Sequence, residues 1–95
     1  MIFGRVAGTV VSTERSDGIR GAKYLLVELC SHKAEGRGDY LVVLDAMGAG
    51  SGEMVIISQG SSARQTEISN KKAVDAIVAG IVDLIDEQGE IVYRK

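Results

Sequence analysis

The 95-residue chain has no proline and no tryptophan, and its only aromatic residues are three tyrosines and one phenylalanine. Its single cysteine, Cys30, cannot form an internal disulfide, and its apolar surroundings in the sequence indicate a buried, inert thiol. No apolar run is long enough to cross a bilayer, and the first residues lack the basic and apolar segments of a signal peptide. We therefore expect a cytoplasmic protein that does not enter a membrane.

The chain also lacks the excess of positive charge that binding to nucleic acid or to an anionic membrane would require. Its formal net charge is −2, and its lysines and arginines are scattered instead of forming a stripe. His32, the only histidine, lies beside a predicted turn and far in sequence from other ligand types, so neither a metal site nor a cofactor is expected. The length predicts a single domain over residues 1–95.

Glycine and β-branched residues are abundant. The 12 glycines, set among many valines and isoleucines, are typical of short strands with sharp corners, as in small barrels. Residues 34–39 are predicted to form a turn, and a serine-capped helical turn is predicted just after the fourth strand. The predicted strands cover residues 2–13, 23–31, 40–45 and 53–58, and the helical turn covers residues 60–65.

The segment 74–85 fits two structures. Its valines and isoleucines recur at helical spacing, and Asn70 could cap such a helix. The density of β-branched residues and the central Gly80 disfavour a helix. Residues 86–89 resemble a tight turn into a last strand at 90–93, which would make 78–85 one half of a hairpin. The pattern alone leaves both structures open.

Three segments are apolar on both faces of a strand, namely residues 41–44, 54–57 and 77–82. Short hairpin connections predict an antiparallel sheet, and a small antiparallel sheet usually keeps one face in contact with water. Strands that are apolar on both faces therefore indicate that further copies of the chain provide cover. Closure of the barrel together with one helix is the alternative cover.

The most informative segment begins at Asp45, where a hydrophobic strand runs into a glycine-rich stretch at 48–52. Phosphate-binding loops have this start, but they lead into a helix whose first N–H groups hold the phosphate. Here residues 54–57 are strand-like, and no Gly-Lys-Ser/Thr is present. Asp45 and Glu53 flank the loop without a nucleophile or base nearby, so polar structural contacts are favoured over acid–base catalysis. The segment indicates assembly and not an enzyme.

Three separated blocks, residues 45–53, 60–64 and 73–83, resemble the bacterial microcompartment vertex proteins of the EutN/CcmL type. The start at residues 4–11 and the second strand at 23–28 resemble that family too, so the likeness covers nearly the full length. One departure is the absence of proline before the Val-Asp of the last block. The resemblance implies a mainly β fold: a small five-stranded antiparallel barrel, like the oligonucleotide/oligosaccharide-binding (OB) fold, with one short helix. The resemblance also favours a strand over a helix in the segment 74–85.

The same resemblance implies a function. It implies a homopentamer that caps the vertices of a bacterial microcompartment shell, of the ethanolamine, carboxysome or glycyl-radical type, with hexameric shell proteins as partners. No catalysis, nucleic-acid binding or membrane contact is implied. An OB-like nucleic-acid-binding barrel, with its tyrosines stacked on bases, is the alternative, and the acidic balance of the chain disfavours it.

Candidate residues for a subunit interface or pore lie on the glycine loop and the turn that follows the next strand. Glycines allow close backbone approach, and an arginine could pair with a carboxylate of a neighbouring subunit. A plain turn and a surface helical turn are the alternatives for the two segments. The candidates are Asp45, Gly48, Ala49, Gly50, Ser51, Gly52, Glu53, Ser61, Ser62 and Arg64.

Overall fold

The computed structural model describes residues 1–11, 23–60 and 76–95. In these segments the strands β1 to β5 close into a barrel in the order β1-β2-β3-β5-β4, and β6 and β7 form a separate hairpin. The strands are β1 (Ile2–Val10), β2 (Lys23–Cys30), β3 (Gly36–Asp45), β4 (Met54–Gln59), β5 (Ala76–Ile81), β6 (Leu84–Glu87) and β7 (Glu90–Arg94).

The barrel closes through one parallel contact. β1 pairs with β2 and with β4, β2 with β3, and β4 with β5, all in antiparallel fashion. β3 and β5 instead run parallel, with Leu44 opposite Ile77. The expected antiparallel arrangement is thus confirmed for four of the five neighbouring pairs and corrected for the closing pair. A parallel pair needs a long crossover, and here the chain passes through β4 between the two strands.

Alternate side chains of the five strands fill the barrel interior. Val27, Val43, Val55 and Ile57 are fully buried there, as period-two alternation requires. Gly4 faces the same interior, where an added Cβ would overlap the side chain of Val27. The interior is therefore packed tightly around Gly4, with no room for a larger residue at that position.

A second apolar cluster lies outside the barrel, where the β6–β7 hairpin packs against it. Its buried members are Cys30, Met54, Val82 and Tyr93. The guanidinium of Arg5 lies 5.9 Å from the centroid of the Tyr93 ring, within the range of a cation–π contact. The outward side chain of Met54 on β4 is therefore covered by the chain's own hairpin.

The tip of the hairpin is tied to the turn that joins β2 and β3. Nε2 of His32 and Oε1 of Glu87 are 3.1 Å apart, on side chains that are both exposed. The hairpin turn itself has positive φ at Gln88 (52°) and Gly89 (86°), the conformation that a two-residue hairpin loop requires. The predicted tight turn at this point is confirmed.

Two boundary predictions were wrong. Residues 34–39 do not form a turn throughout, because β3 already begins at Gly36, and the turn is confined to the residues just before it. Oε2 of Glu28 accepts the N–H of Gly38 at 3.1 Å and holds this start of β3 against β2. Residues 78–85 are not one hairpin strand, because β5 ends at Ile81 and β6 begins at Leu84.

The ambiguous segment is a strand over Ala76–Ile81, as the family resemblance implied. The predicted helical turn at 60–65 lies outside the described residues except for Gly60. The predicted end of the first strand at Thr13, and the possible cap Asn70, also lie outside them.

Candidate functional site

The glycine loop is shaped first by the carboxylate of Asp45, the buried last residue of β3. Its Oδ1 accepts the N–H groups of Met47 at 2.9 Å and Gly48 at 3.1 Å. Its Oδ2 accepts the N–H of Ala49 at 2.9 Å. An aspartate that binds the backbone two to four residues ahead fixes a turn in one conformation. The side chain of Ala49 is thereby packed into the barrel cluster.

The second half of the loop is held by Glu53 and by β1. Oε1 of Glu53 accepts the N–H of Gly50 at 2.5 Å, and the N–H of Glu53 donates to the carbonyl of Gly50 at 3.1 Å. The N–H of Gly52 donates to the carbonyl of Val6, and the N–H of Val6 donates to the carbonyl of Glu53, each at 2.9 Å. The loop is therefore closed on itself and anchored to the first strand.

These bonds bear on the alternative that the segment is a phosphate-binding loop. A phosphate loop offers a row of backbone N–H groups to the anion. In this loop two carboxylates of the chain, on Asp45 and Glu53, already accept such N–H groups. An incoming phosphate would have to displace both carboxylates and would meet their negative charge. The geometry disfavours nucleotide binding.

Two of the loop glycines are required by backbone conformation. Gly48 has φ of +82° and Gly52 has φ of +85°, whereas Gly50 is not in the left-handed region. A Cβ at Gly48 or Gly52 would have no atom within 4 Å, so open space and not crowding surrounds both. A Cβ at Gly50 would lie 3.4 Å from Oε1 of Glu53. Positive φ therefore accounts for glycine at positions 48 and 52 but not at position 50.

Glu53 also forms an ion pair that sequence reasoning missed. Nζ of Lys95 lies 2.6 Å from Oε2 of Glu53 and 3.9 Å from Oδ1 of Asp83. The hydrogen bond from Lys95, and then that from the N–H of Gly50, lowers the pKa of Glu53 below its ordinary value. The same hydrogen bond to Glu53 raises the pKa of Lys95. Glu53 and Lys95 are 42 positions apart in the sequence, so no local pattern predicts their ion pair.

The predicted site residues therefore divide into two groups. Asp45 and the residues from Gly48 to Glu53 lie on one loop against the barrel, with Gly48, Gly50, Ser51 and Gly52 exposed and Ala49 buried. Asp45 and Glu53 each bind their own part of the loop and do not form an acid–base pair. Ser61, Ser62 and Arg64 lie outside the described residues.

The remaining titratable side chains give no sign of a reactive centre in the described segments. Burial raises the pKa of the Cys30 thiol, an effect that Arg5 opposes, and a raised pKa disfavours the nucleophilic thiolate. Within residues 1–11, 23–60 and 76–95, no three His, Cys, Asp or Glu side chains are placed to hold a metal ion. No helix in that part of the chain is long and apolar enough to span a membrane.

The fold is a small closed barrel that carries an internally bonded glycine loop. The chain matches the family model described as ethanolamine utilisation protein EutN/carboxysome over residues 1–83. It is 45% identical over 86 residues to the shell vertex protein GrpN of Rhodospirillum rubrum, covering 90% of this chain and 97% of GrpN. The chain therefore belongs to the EutN/CcmL family.

Solved structures of relatives have the same fold. The structure of Gloeobacter violaceus CcmL superposes with a TM-score of 0.93 at 41% identity, covering 100% of this chain and 98% of CcmL. The pentameric microcompartment shell protein GrpN of R. rubrum superposes with a TM-score of 0.82 at 45% identity, covering 92% of this chain and 99% of GrpN. The sequence-based assignment of family and barrel is confirmed.

Proposed function

We propose that the chain forms a homopentamer that caps the vertices of a bacterial microcompartment shell in the cytoplasm. The observation that carries this proposal is the likeness to GrpN, a pentameric shell protein 45% identical to this chain and superposable over 92% of it. A homologue with this identity and coverage supports the same use of the barrel here.

The role is geometric. Hexagonal units alone tile a flat sheet, and five-fold units introduce the curvature that closes a polyhedron. A ring of five copies of this barrel would fill the five-sided gap between hexameric shell proteins, which are the proposed partners. We take residues 1–95 as one domain that serves this purpose, because the hairpin packs onto the barrel through a shared apolar cluster.

The glycine loop serves assembly in this proposal, and the protein catalyses no reaction. Asp45 and Glu53 hold the loop in one shape, which leaves Gly48, Gly50, Ser51 and Gly52 exposed for contact with a neighbouring subunit or a pore. Ser61, Ser62 and Arg64 are proposed as further contacts on grounds of residue type. A loop that needs no ligand to become ordered loses little entropy on assembly.

Native mass spectrometry of the purified protein tests the proposal. We expect a species of five chains that persists on dilution without any added ligand. A monomer or dimer as the main species at micromolar concentration would refute it. Isothermal titration with ATP, NAD and a single-stranded oligonucleotide should give no heat of binding, and saturable binding of any of them would revive the alternatives.

A further inference from the structure

A closed ring of five identical subunits cannot be built from self-complementary contacts alone. Each subunit must present one patch to the neighbour on its left and a different patch to the neighbour on its right. The described residues contain two exposed apolar features on the outer wall of the barrel. The inference drawn from them rests on the proposed pentamer and identifies how its subunits meet.

The first feature, the β3 patch, consists of Tyr40 and Val42 on β3 and Leu26 on β2. Tyr40 is 55% exposed and Val42 is 49% exposed, although both belong to a sheet whose alternate residues form the core. Leu26 lies directly opposite Val42 in the β2–β3 ladder and extends the patch. The doubly apolar segment predicted in β3 thus leaves an apolar surface that no described part of the chain buries.

The second feature, the β1–β4 pocket, is a concave site where β1 pairs with β4. Met1, Ile2, Phe3 and Ile56 line it, and all four are apolar. Phe3 and Ile56 are direct partners in the ladder, and both lie at the border of the cluster under the hairpin. The pocket has the chemistry to receive one apolar or aromatic side chain and offers no charged side chain to bind a polar ligand.

The position of the two features suits a ring. The patch lies on β2 and β3, whereas the pocket lies where β1 pairs with β4, so the two features share no strand of the barrel. Register places Tyr40 opposite Glu28 and Glu28 opposite Arg5, two residues along β1 from Phe3. Two residues correspond to about 7 Å along a strand, whereas Leu26 lies opposite Gly8, five residues from Phe3, so Tyr40 is the patch residue nearest in register to the pocket. Because the two features do not overlap, each copy can use both at once, as a closed ring requires.

We propose that the β3 patch of one subunit packs into the β1–β4 pocket of the next, with the Tyr40 ring as the inserted side chain. Tyrosine is enriched among the residues that dominate binding energy at interfaces, and its hydroxyl can stay at the wet edge of the pocket. The rest of the interface, including the glycine loop, would supply the area that a stable subunit contact needs.

Crosslinking from position 40 gives the direct test. Tyr40 is replaced by the photoreactive analogue p-benzoylphenylalanine, which keeps an aromatic ring, and the irradiated protein is digested with trypsin. We expect a ladder of covalent oligomers in which residue 40 of one chain is joined to peptide 1–5 of another. Attachment to Ile56 would support the inference equally, and because Ile56 shares tryptic peptide 38–64 with residue 40 it is located by fragment sequencing. Attachment only to residues outside the pocket would overturn the inference.

Substitution gives an independent measurement. We expect Tyr40→Asp and Val42→Asp to weaken association at least about tenfold while circular dichroism stays unchanged. Ile91→Asp is the matched control, because Ile91 is 50% exposed on β7 and belongs to neither feature. If wild type is a pentamer and both β3 variants remain fully pentameric, the pairing is wrong but the vertex function stands. If wild type is a monomer, the pairing and the proposed function both fall.

Discussion

The outward side chains of β4 and β3 are both apolar, but they differ in how far they are buried. The outward Met54 of β4 is fully buried under the β6–β7 hairpin, whereas the outward Val42 of β3 is 49% exposed. One face is covered by the end of the same chain, and the other is exposed on a single chain and is the face proposed to contact a second copy. A strand that is apolar on both faces therefore predicts that both faces are buried. It does not show whether the same chain or another copy buries them.

Shortening Met54 should give the largest effect on folding. In a Tyr40→Asp background, at a protein concentration low enough for that variant to be monomeric, Met54→Ala should lower the free energy of unfolding by about 2–5 kcal/mol because it leaves a cavity under the hairpin. Val42→Ala in the same background should change it by no more than about 0.5 kcal/mol. Urea unfolding followed by circular dichroism measures both. Equal losses would mean that the two faces are covered alike within one chain.

Removing the Asp45 carboxylate should have the next largest effect. Asp45→Ala leaves the N–H groups of Met47, Gly48 and Ala49 without their acceptor, and we expect a loss of about 1–3 kcal/mol in unfolding free energy. Asp45→Asn keeps an acceptor oxygen and should cost less. Ser51→Ala, on the exposed part of the same loop, is the control. A stability of Asp45→Ala equal to that of the control would show that the loop does not depend on this carboxylate.

Substitutions at Gly48 and Gly50 distinguish the cost of backbone strain from the cost of adding a side chain. Gly48→Val places a β-branched residue at φ of +82° and should cost about 1–3 kcal/mol, while the surrounding space is open. Gly48→Asn, which tolerates this conformation, should cost less. Gly50→Ala carries no such penalty, since Gly50 is outside the left-handed region.

Size-exclusion chromatography with light scattering, run beside circular dichroism, reads out these glycine variants. We expect Gly48→Val to give a folded chain with less pentamer. A fully pentameric Gly48→Val would remove the loop from the interface.

The ion pair between Glu53 and Lys95 should give the smallest effect, and this effect should change with pH only in strong acid or strong base. The lowered pKa of Glu53 gives stability that is present above the ordinary glutamate pKa and is lost as the pH falls through the lowered value. The raised pKa of Lys95 gives stability that is present below the ordinary lysine pKa and is lost as the pH rises through the raised value. The contribution should thus be constant near neutrality.

Thermal unfolding of wild type and Glu53→Gln across pH tests this linkage. We expect the difference in melting temperature to be small and steady near neutral pH, and to shrink once the pH falls below about 4. Lys95→Met should reproduce the neutral-pH difference. A difference that grows in acid would contradict the assigned direction for Glu53.

Local patterns predicted much of this fold and part of the site. Apolar and β-branched residue types located β1, β2 and β4, and the tight turn before β7, which ends in Gly89, was readable from its residue types. The start of β3 was missed because it depends on Glu28 accepting the N–H of Gly38, a contact between strands that periodicity does not encode. Likewise Lys95 meets Glu53 only after the barrel has closed. The role of Asp45 had a local signal, an aspartate just before a glycine-rich turn.

Oxidative footprinting by hydroxyl radicals tests most directly whether a second copy covers the β3 face. The oxidation rates of Tyr40 and Tyr93 are compared in wild type and in the Val42→Asp variant, with Ile91→Asp as control. We predict that Tyr40 is protected in wild type and in the control and becomes reactive in Val42→Asp, whereas Tyr93 stays protected in all three. Tyr40 oxidised as fast in a wild-type pentamer as in the dissociated variant would contradict the account.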